Sequence, residues 1–252
     1  MIMFGRCLRA EVRKLHGSLI WLAVAVLPLI SAVMGTFKYL GNLGILQDQW
    51  YSLWTQHALF YCLLFAPALT GVYCAYLCRL EHMDRNWNMV RTMPVPCWAI
   101  FAGKLAVISL LSLVTQLVIG LLFILSGKLI GLTAPIPLEL FLWLARGWCA
   151  ITVQGAILLC CALVIRSFAV PVGLGLIGGL SGLAIIVQGV GGYWPFSLLM
   201  LGMCANHPSA PMDCSPLLFT PRPSSGSFWP SPSVPSGCKK EMCRRPKIYH
   251  AC

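Results

Sequence analysis

The feature that most constrains this chain is a series of five long apolar segments that contain no charged side chain. They cover residues 17–37, 58–77, 105–127, 147–165 and 167–190. A helix needs about 20 residues to cross the hydrocarbon core of a bilayer, which is about 30 Å thick. The fourth segment is the shortest, and its helix is expected to begin earlier, near Leu138. The pattern predicts an all-α, polytopic bundle of transmembrane helices with five clear spans.

The composition explains why such a chain needs a membrane. Hydrophobic residues make up 58% of it and charged residues 10%, with a mean hydropathy of +0.80. A soluble domain normally has about 25% charged residues, because its surface must be solvated by water. The net charge of +11 would suit nucleic acid, but the basic residues lie in short clusters between apolar segments and form no basic soluble domain. Nucleic acid is therefore not expected as a partner.

The basic residues are divided unequally between the two sides of the predicted bundle. One side carries nine of them: Arg6, Arg9, Arg13, Lys14, Arg79, Arg85, Arg91, Lys104 and Arg166. The other side carries three: Lys38, Lys128 and Arg146. Lys and Arg accumulate in cytoplasmic loops. The N-terminus and the connection 79–104 are therefore predicted to be cytoplasmic.

Small residues inside the apolar segments indicate how the helices pack. Gly175 and Gly179 stand four residues apart, as do Gly178 and Gly182, and such pairs let helices approach closely in lipid. Three prolines are expected to kink helices or to mark their ends: Pro28, Pro67 and Pro171.

No residues form a recognisable metal or nucleotide site. Five of the thirteen cysteines lie in the apolar segments, where a thiol behaves as a small hydrophobe, and the cysteine spacings do not suit a metal. His57 and His82 have no second histidine at metal-binding spacing. Gly120 and the pair Gly127-Lys128 lack the spacing of a phosphate loop. No metal or cofactor is therefore expected.

Catalysis inside the membrane would need polar side chains at depth, and almost none are expected there. Glu139 and Arg146 stand two helical turns apart at the start of the fourth helix, where long side chains reach the interface easily. We interpret them as structural. No catalytic residue is predicted, and an intramembrane enzyme is disfavoured.

Residues 3–16 are predicted to form an amphipathic helix on the inner leaflet. On a helical wheel, one face carries Phe4, Leu8, Val12 and Leu15. The opposite face carries Arg6, Arg9 and Arg13, which are the candidate membrane-interface residues.

Residues 79–93 are predicted to form a second amphipathic helix, between the second and third spans. One face carries Leu80, Met83, Trp87 and Val90, and the other carries Glu81, Asp84, Arg85, Asn88 and Thr92. Glu81 and Arg85 have the i,i+4 order that supports a helix, and Pro94 and Pro96 end it. From these residues alone, a connector on the lipid surface and a docking element for a soluble partner are equally good interpretations.

Three segments together carry a resemblance to a known family. They are Arg-Ala-Glu-Val-Arg-Lys-Leu-His at 9–16, Glu-His-Met-Asp-Arg-Asn-Trp at 81–87 with Met-Pro-Val at 93–95 and Lys104 beyond, and Arg-Ser-Phe-Ala-Val-Pro at 166–171. In this order they resemble the opening helix, the cytoplasmic connector and the turn between the fourth and fifth spans of lantibiotic-immunity (lantibiotic protection) permeases. These are bacterial ABC transporter permease subunits of the type-2 exporter class. The resemblance covers roughly residues 4–205.

The resemblance implies a function in the bacterial cell membrane. Such permeases act as a pair of membrane subunits, identical or related, with cytoplasmic ABC ATPase subunits. The connector would sit in a cleft of the ATPase. The coupling residues that the resemblance implies are Glu81, Asp84, Arg85, Trp87, Asn88 and Pro94. The cargo would be a lantibiotic-like antimicrobial peptide, expelled to confer immunity. The alternative is a membrane protein that binds or sequesters the peptide without ATP-driven transport.

The resemblance stops near residue 204, where the family makes a sixth span. This chain continues with a run of prolines and serines and a basic end. Prolines remove backbone donors that lipid cannot replace, so the run cannot span a membrane. We expect a transmembrane domain at residues 1–203 and a disordered tail at 204–252. A change of reading frame at about residues 204–215 would explain the lost span, and a natural disordered tail is the alternative.

Overall fold

The computed structural model describes residues 2–44, 46, 48–82 and 96–205. Its α-helices in this part of the chain are α1 (Ile2–Leu15), α2 (Ile20–Gly41), α3 (Gln49–Phe60), α4 (Ala66–His82), α5 (Cys97–Ile130), α6 (Glu139–Val164), α7 (Ala169–Val187) and α8 (Ser197–Gly202). A π-helical turn, Tyr61–Phe65, joins α3 to α4. A short 3-10 turn, Gly191–Tyr193, precedes α8.

Five helical stretches are long and apolar enough to cross a membrane. They are Ile20–Gly41, Gln49–Arg79, Trp98–Ile130, Glu139–Val164 and Ala169–Val187. The five predicted spans are thus confirmed, and the fourth begins at Glu139, close to the expected Leu138.

The second span begins at Gln49, earlier than the predicted residue 58. Its first turns contain indoles whose N–H groups have partners inside the protein. Trp50 donates to the carbonyl of Ala134 at 2.7 Å, and Trp54 donates to the carbonyl of Met203 at 2.8 Å. Because these polar groups are satisfied, the segment is buried in the bundle although its sequence is less apolar than the rest of the span.

The outer surface of the helices is apolar. Leu117, Leu121 and Leu125 share one face of α5, and each exposes more than half of its surface. A face of this kind would favour association in water, whereas lipid tails cover it without cost. The surface therefore agrees with a bundle embedded in a bilayer.

Helices α4 and α7 pack closely because glycine removes side chains from their interface. A Cβ at Gly175 would collide with the carbonyl oxygen of Pro67, and one at Gly179 would collide with that of Leu63. Pro67 has no N–H, so the Leu63 carbonyl lacks its usual helical donor, and the helix adopts the π-helical turn just before this point. The predicted role of the Gly175–Gly179 pair in packing is confirmed.

The other glycine pair and the remaining prolines are also packing elements. Gly178 and Gly182 face Phe196, which precedes α8. Pro28 is buried within α2, and Pro171 lies in the first turn of α7. Proline is tolerated in a first turn, where its missing N–H has no helical partner.

The order of the spans defines two ends of the bundle. The end that carries α1 also carries the last turn of α4, the first turns of α5, the end of α6 and the start of α7. We call it the α1 end. At the opposite end, α8 has six residues, and residues 206–252 lie outside the described part of the chain. The sixth span, the division at 203–204 and the altered reading frame therefore stay predictions.

Candidate functional site

A buried ammonium group lies at the α1 end, where α1, α4 and α5 meet. Lys104, in the second turn of α5, is fully buried. Its Nζ lies 2.7 Å from Glu81 Oε1 and 3.1 Å from Glu11 Oε1. It also donates to the backbone carbonyl of Leu77 at 3.1 Å. An ammonium has three donors, so these three acceptors satisfy it completely.

A second lysine bridges the same two carboxylate oxygens. Lys14 Nζ lies 2.9 Å from Glu11 Oε1 and 3.1 Å from Glu81 Oε1. Its side chain keeps 29% of its surface exposed, whereas both carboxylates are buried. Glu11, Lys14, Glu81 and Lys104 thus form a closed arrangement of two negative and two positive charges, which we call the ion-pair cluster. Its formal charge is balanced, as burial of ions requires.

The charges in the cluster stabilise each other's ionised forms. Burial alone would raise the pKa of Glu81, but the charge and hydrogen bond of Lys104, together with Lys14, lower it below the ordinary value of 4.5. Burial would lower the pKa of Lys14, but the carboxylates of Glu11 and Glu81 raise it above the ordinary 10.5. Both groups are therefore ionised at neutral pH.

The cluster depends on which face of α1 meets the protein. Glu11 and Leu15, one turn apart, are buried, and Gly103 of α5 lies against Cys7 of α1, where an added Cβ would be in ordinary contact at 3.5 Å. Val12, on the apolar face predicted to lie on the inner leaflet, is 42% exposed, and its contact with lipid stays a prediction. Helix α1 also packs sideways against α5.

The other predicted residues of α1 differ in how far they are buried. Leu15 is buried and Leu8 packs against the core, whereas the side chain of Phe4 lies outside the described residues. The candidate interface residues Arg6, Arg9 and Arg13 are all exposed. Their contact with the lipid surface stays a prediction.

The structure describes only the beginning of the predicted connector helix. Residues 79–82 continue α4 without a break, and α5 begins at Cys97, directly after Pro96. The other implied coupling residues lie outside the described part of the chain: Asp84, Arg85, Trp87, Asn88 and Pro94. Glu81, predicted on the charged face of the connector helix, has its carboxylate buried between Lys14 and Lys104. Its contact with an ATPase is untested.

This burial has a geometric consequence for the connector. Glu81 stands just before residues 83–95, and Lys104 stands just after them in the first turns of α5. The 2.7 Å ion pair between these two side chains therefore ties both ends of the connector together. Through Glu11 and Lys14, the same contact ties both ends to α1.

The interior of the bundle holds more polar groups than the sequence predicted. Gln154 is fully buried and donates to the carbonyl of Phe196 at 3.2 Å, and the hydroxyls of Tyr73 and Thr115 lie 2.6 Å apart. Gln116 is also buried. The expectation of almost no polar residues at depth is therefore wrong, because neutral polar side chains can be buried when they form hydrogen bonds. These contacts join helices, as polar residues in membrane bundles do.

The histidine and acidic residues at the opposite end also join helices. His57 Nε2 lies 3.0 Å from the hydroxyl of Thr36 and 3.3 Å from that of Ser126, which connects α3 with α2 and α5. Glu139 accepts a hydrogen bond of 3.2 Å from Tyr51. Among the described residues, no three of the His, Cys, Asp and Glu side chains converge as metal ligands would.

The described cysteines are free thiols, and Cys62, Cys74 and Cys78 are buried. This agrees with their interpretation as small hydrophobes.

Comparison with known families identifies this architecture. Residues 7–182 match the family described as ABC-2 family transporter protein. The chain belongs to the ABC-2 transporter family. The match includes most of α1, the ion-pair cluster, the connector and most of α7, and it ends before α8. No curated protein and no solved structure matches the chain.

Membership in this family gives the bundle a role. ABC-2 proteins are the membrane components of ABC transporters and work with an ATPase subunit, so this chain is a transport component of a multi-pass kind rather than a catalytic one. The residues on either side of the predicted ATPase contact in the sequence, 79–82 and 96–104, include Glu81 and Lys104 of the ion-pair cluster.

Proposed function

We propose that this chain is the permease subunit of an ATP-driven exporter that expels lantibiotic-like antimicrobial peptides from the bacterial cell membrane. Support for transport comes from the ABC-2 family match over residues 7–182 together with five helices suited to spanning a bilayer. Support for the peptide cargo comes from the sequence resemblance of residues 9–16, 81–95 and 166–171 to lantibiotic-immunity permeases. The N-terminus and the connector would lie in the cytoplasm, where the ATPase is.

The observation that carries the coupling part of the proposal is the ion-pair cluster. ATPase closure would move residues 83–95, and the contact between Glu81 and Lys104 would convert that movement into a displacement of α4 against α5. Coupling of this kind needs a structural element whose equilibrium between two arrangements is shifted both by the ATPase and by the transport site. A buried, fully ionised contact suits this role, because it strongly favours one arrangement of the helices over partly opened ones.

The test of transport is peptide resistance in a sensitive bacterium. The full chain is expressed there with the ABC ATPase and any second permease encoded beside its gene, using either an active ATPase or one whose catalytic residue is inactivated. We expect lantibiotic resistance only with the active ATPase, and co-purification of the chain with both forms. Resistance without ATPase activity would instead support the alternative of peptide sequestration. Co-purification without resistance would mean that the chain is a permease for another cargo.

The coupling step is tested with Glu81→Gln. We expect this variant to co-purify with the ATPase but to lose resistance. The matched control is Glu139→Gln, which removes an exposed carboxylate at the opposite end of the bundle. Equal resistance of Glu81→Gln and the unchanged chain would exclude a coupling role for the cluster.

A further inference from the structure

A pocket separate from the ion-pair cluster lies at the α1 end, between α4, α6 and α7. Its volume is about 270 Å³. Arg79 from the end of α4 and Arg166 from the turn between α6 and α7 line it, together with the hydroxyl-bearing Ser167. The second span ends at Arg79, the fourth ends at Val164 and the fifth begins at Ala169. The pocket therefore lies at one boundary of the bilayer.

The polar side of the pocket suits an anion. Both arginines are exposed, and within the described residues neither forms an ion pair. A guanidinium offers several N–H donors in a planar fork that matches the oxygens of a phosphate. Two such groups around one cavity, one from α4 and one from the turn between α6 and α7, provide a site for a phosphate.

The other side of the pocket is apolar and continuous with the lipid-facing surface. Ala75 and Ala162 form its inner wall, and Ile165 and Phe168 form a partly exposed rim. Val164, beside this rim, is 82% exposed. The volume lies just below the range of about 300–1,000 Å³ that is typical of small-molecule pockets. The pocket can therefore hold a headgroup but not the acyl chains of a lipid.

We propose that this pocket binds the phosphate headgroup of an anionic phospholipid, with Arg79 and Arg166 holding the phosphate and the acyl chains lying along Ile165 and Phe168. Basic pockets between transmembrane helices recognise lipid headgroups in this way. A free phosphate would satisfy the arginines but would leave the apolar rim without a partner. The bound lipid would bridge α4 and α7 beside their glycine-mediated contact. The proposal concerns this pocket alone and does not depend on the cargo.

The test is native mass spectrometry of the full chain in a mild detergent, titrated with phosphatidylglycerol and with zwitterionic phosphatidylcholine. Both lipids carry a phosphate, but the choline ammonium cancels its charge in phosphatidylcholine, so we expect the first phosphatidylglycerol to bind about tenfold more tightly to the two arginines. The double variant Arg79→Gln/Arg166→Gln should lose roughly that tenfold preference, and the double lysine variant should keep part of it because it retains the charge. If the double glutamine variant does not elute as a single species, the lipid preference is measured on Arg79→Gln and on Arg166→Gln, and each should lose part of it.

The matched control is Lys38→Gln/Lys128→Gln, which removes two exposed charges at the opposite end of the bundle. It should keep the preference for phosphatidylglycerol within about twofold, since its lysines are outside the pocket. An equal loss in this control would mean diffuse attraction to the membrane and would overturn the proposal. So would equal binding of the two lipids, or a thermal stabilisation by inorganic phosphate alone as large as that by phosphatidylglycerol.

Discussion

At the scale of single residues, the ion-pair cluster is the place where the smallest chemical change has the largest consequence. Lys104 is fully buried, and each of its three donors has one acceptor within 3.1 Å. Removing one member of a buried ion pair leaves the partners desolvated and uncompensated, which costs more than the pair gained by forming. Here the loss of one ammonium would leave two carboxylates, Glu11 and Glu81, with Lys14 alone to compensate them.

We therefore expect Lys104→Met to lower the free energy of unfolding by about 3–5 kcal/mol, the cost of breaking a buried pair. Unfolding of the purified chain in detergent, followed by circular dichroism, measures this. The matched control is Lys128→Met, near the other end of α5, where the lysine is exposed. That variant should stay within about 0.5 kcal/mol of the unchanged chain. If Lys104→Met and Lys128→Met are equally stable, the cluster does not hold the helices together.

The stability that the cluster provides should depend on pH in a defined way. The folded chain lowers the pKa of Glu81 below 4.5, so its contribution is present above that pH and is lost as the pH falls through the folded value. The folded chain raises the pKa of Lys14 above 10.5, so its contribution is present below that pH and is lost at more alkaline pH. The other charged groups that face these two are Glu11, which contacts both lysines, and Lys104, which contacts both carboxylates.

We expect the difference in melting temperature between the unchanged chain and Glu81→Gln to be constant between roughly pH 5.5 and 9.5. Below pH 4.5 the difference should shrink, since the carboxyl of Glu81 is then protonated in the unfolded chain and becomes so in the folded one. Thermal unfolding in detergent at a series of pH values measures it. A difference that grows as the pH falls would contradict the lowered pKa.

The sequence predicted individual exposed residues better than it predicted this cluster. The exposure of Arg6, Arg9 and Arg13 follows from local helical periodicity, which a wheel captures. The contact of Glu11 with Lys104 joins residues far apart in the sequence, and periodicity carries no information about such pairs. A signal was available: Glu81 and Lys104 are opposite charges at the two ends of one short connection, next to apolar segments that offer no other partner.

At the scale of helices, the contact between α4 and α7 is determined by the absence of side chains. Gly71, Gly175 and Gly179 each face backbone carbonyl carbon or oxygen atoms of the opposite helix, and a Cβ at Gly71 would lie 2.6 Å from the carbonyl oxygen of Pro171. In lipid there is no hydrophobic drive between helices, so close packing itself supplies the association energy. Helix packing was more predictable than the other features, because it follows from the glycine spacing and the apolar segments.

Gly179→Ala should therefore separate α4 from α7 and destabilise the bundle by about 1–3 kcal/mol, the usual cost of overpacking. Gly173→Ala is the matched control, because it lies in the same helix and has no atom within 4 Å of an added Cβ. That variant should be neutral or stabilising by up to about 1 kcal/mol, since alanine favours the helix. Unfolding of the two variants in the same detergent measures the difference. Equal stabilities would show that the helices tolerate a wider spacing.

At the scale of the whole molecule, the two ends of the bundle differ in chemistry. The α1 end holds the ion-pair cluster, both ends of the connector and the arginine-lined pocket. The opposite end holds packed aromatic rings, among them Trp54 stacked on Trp143 at 5.2 Å between centroids. Hydropathy predicted the number of spans and charge predicted which end is basic. The aromatic packing and the polar interior could not be read from either, because both depend on contacts between separate helices.

The unequal distribution of basic residues predicts an orientation with the α1 end in the cytoplasm. Single cysteines are introduced at His16, exposed after α1, and at Asn42, exposed after α2, with the native cysteines replaced. A membrane-impermeant maleimide should label Asn42→Cys in intact cells and His16→Cys only after permeabilisation, because one span separates them. The buried position Leu53→Cys should stay unlabelled in both conditions. Labelling of His16→Cys in intact cells would place the ion-pair cluster and the connector outside, where no ATPase could reach them, and would contradict the proposed coupling as well as the orientation.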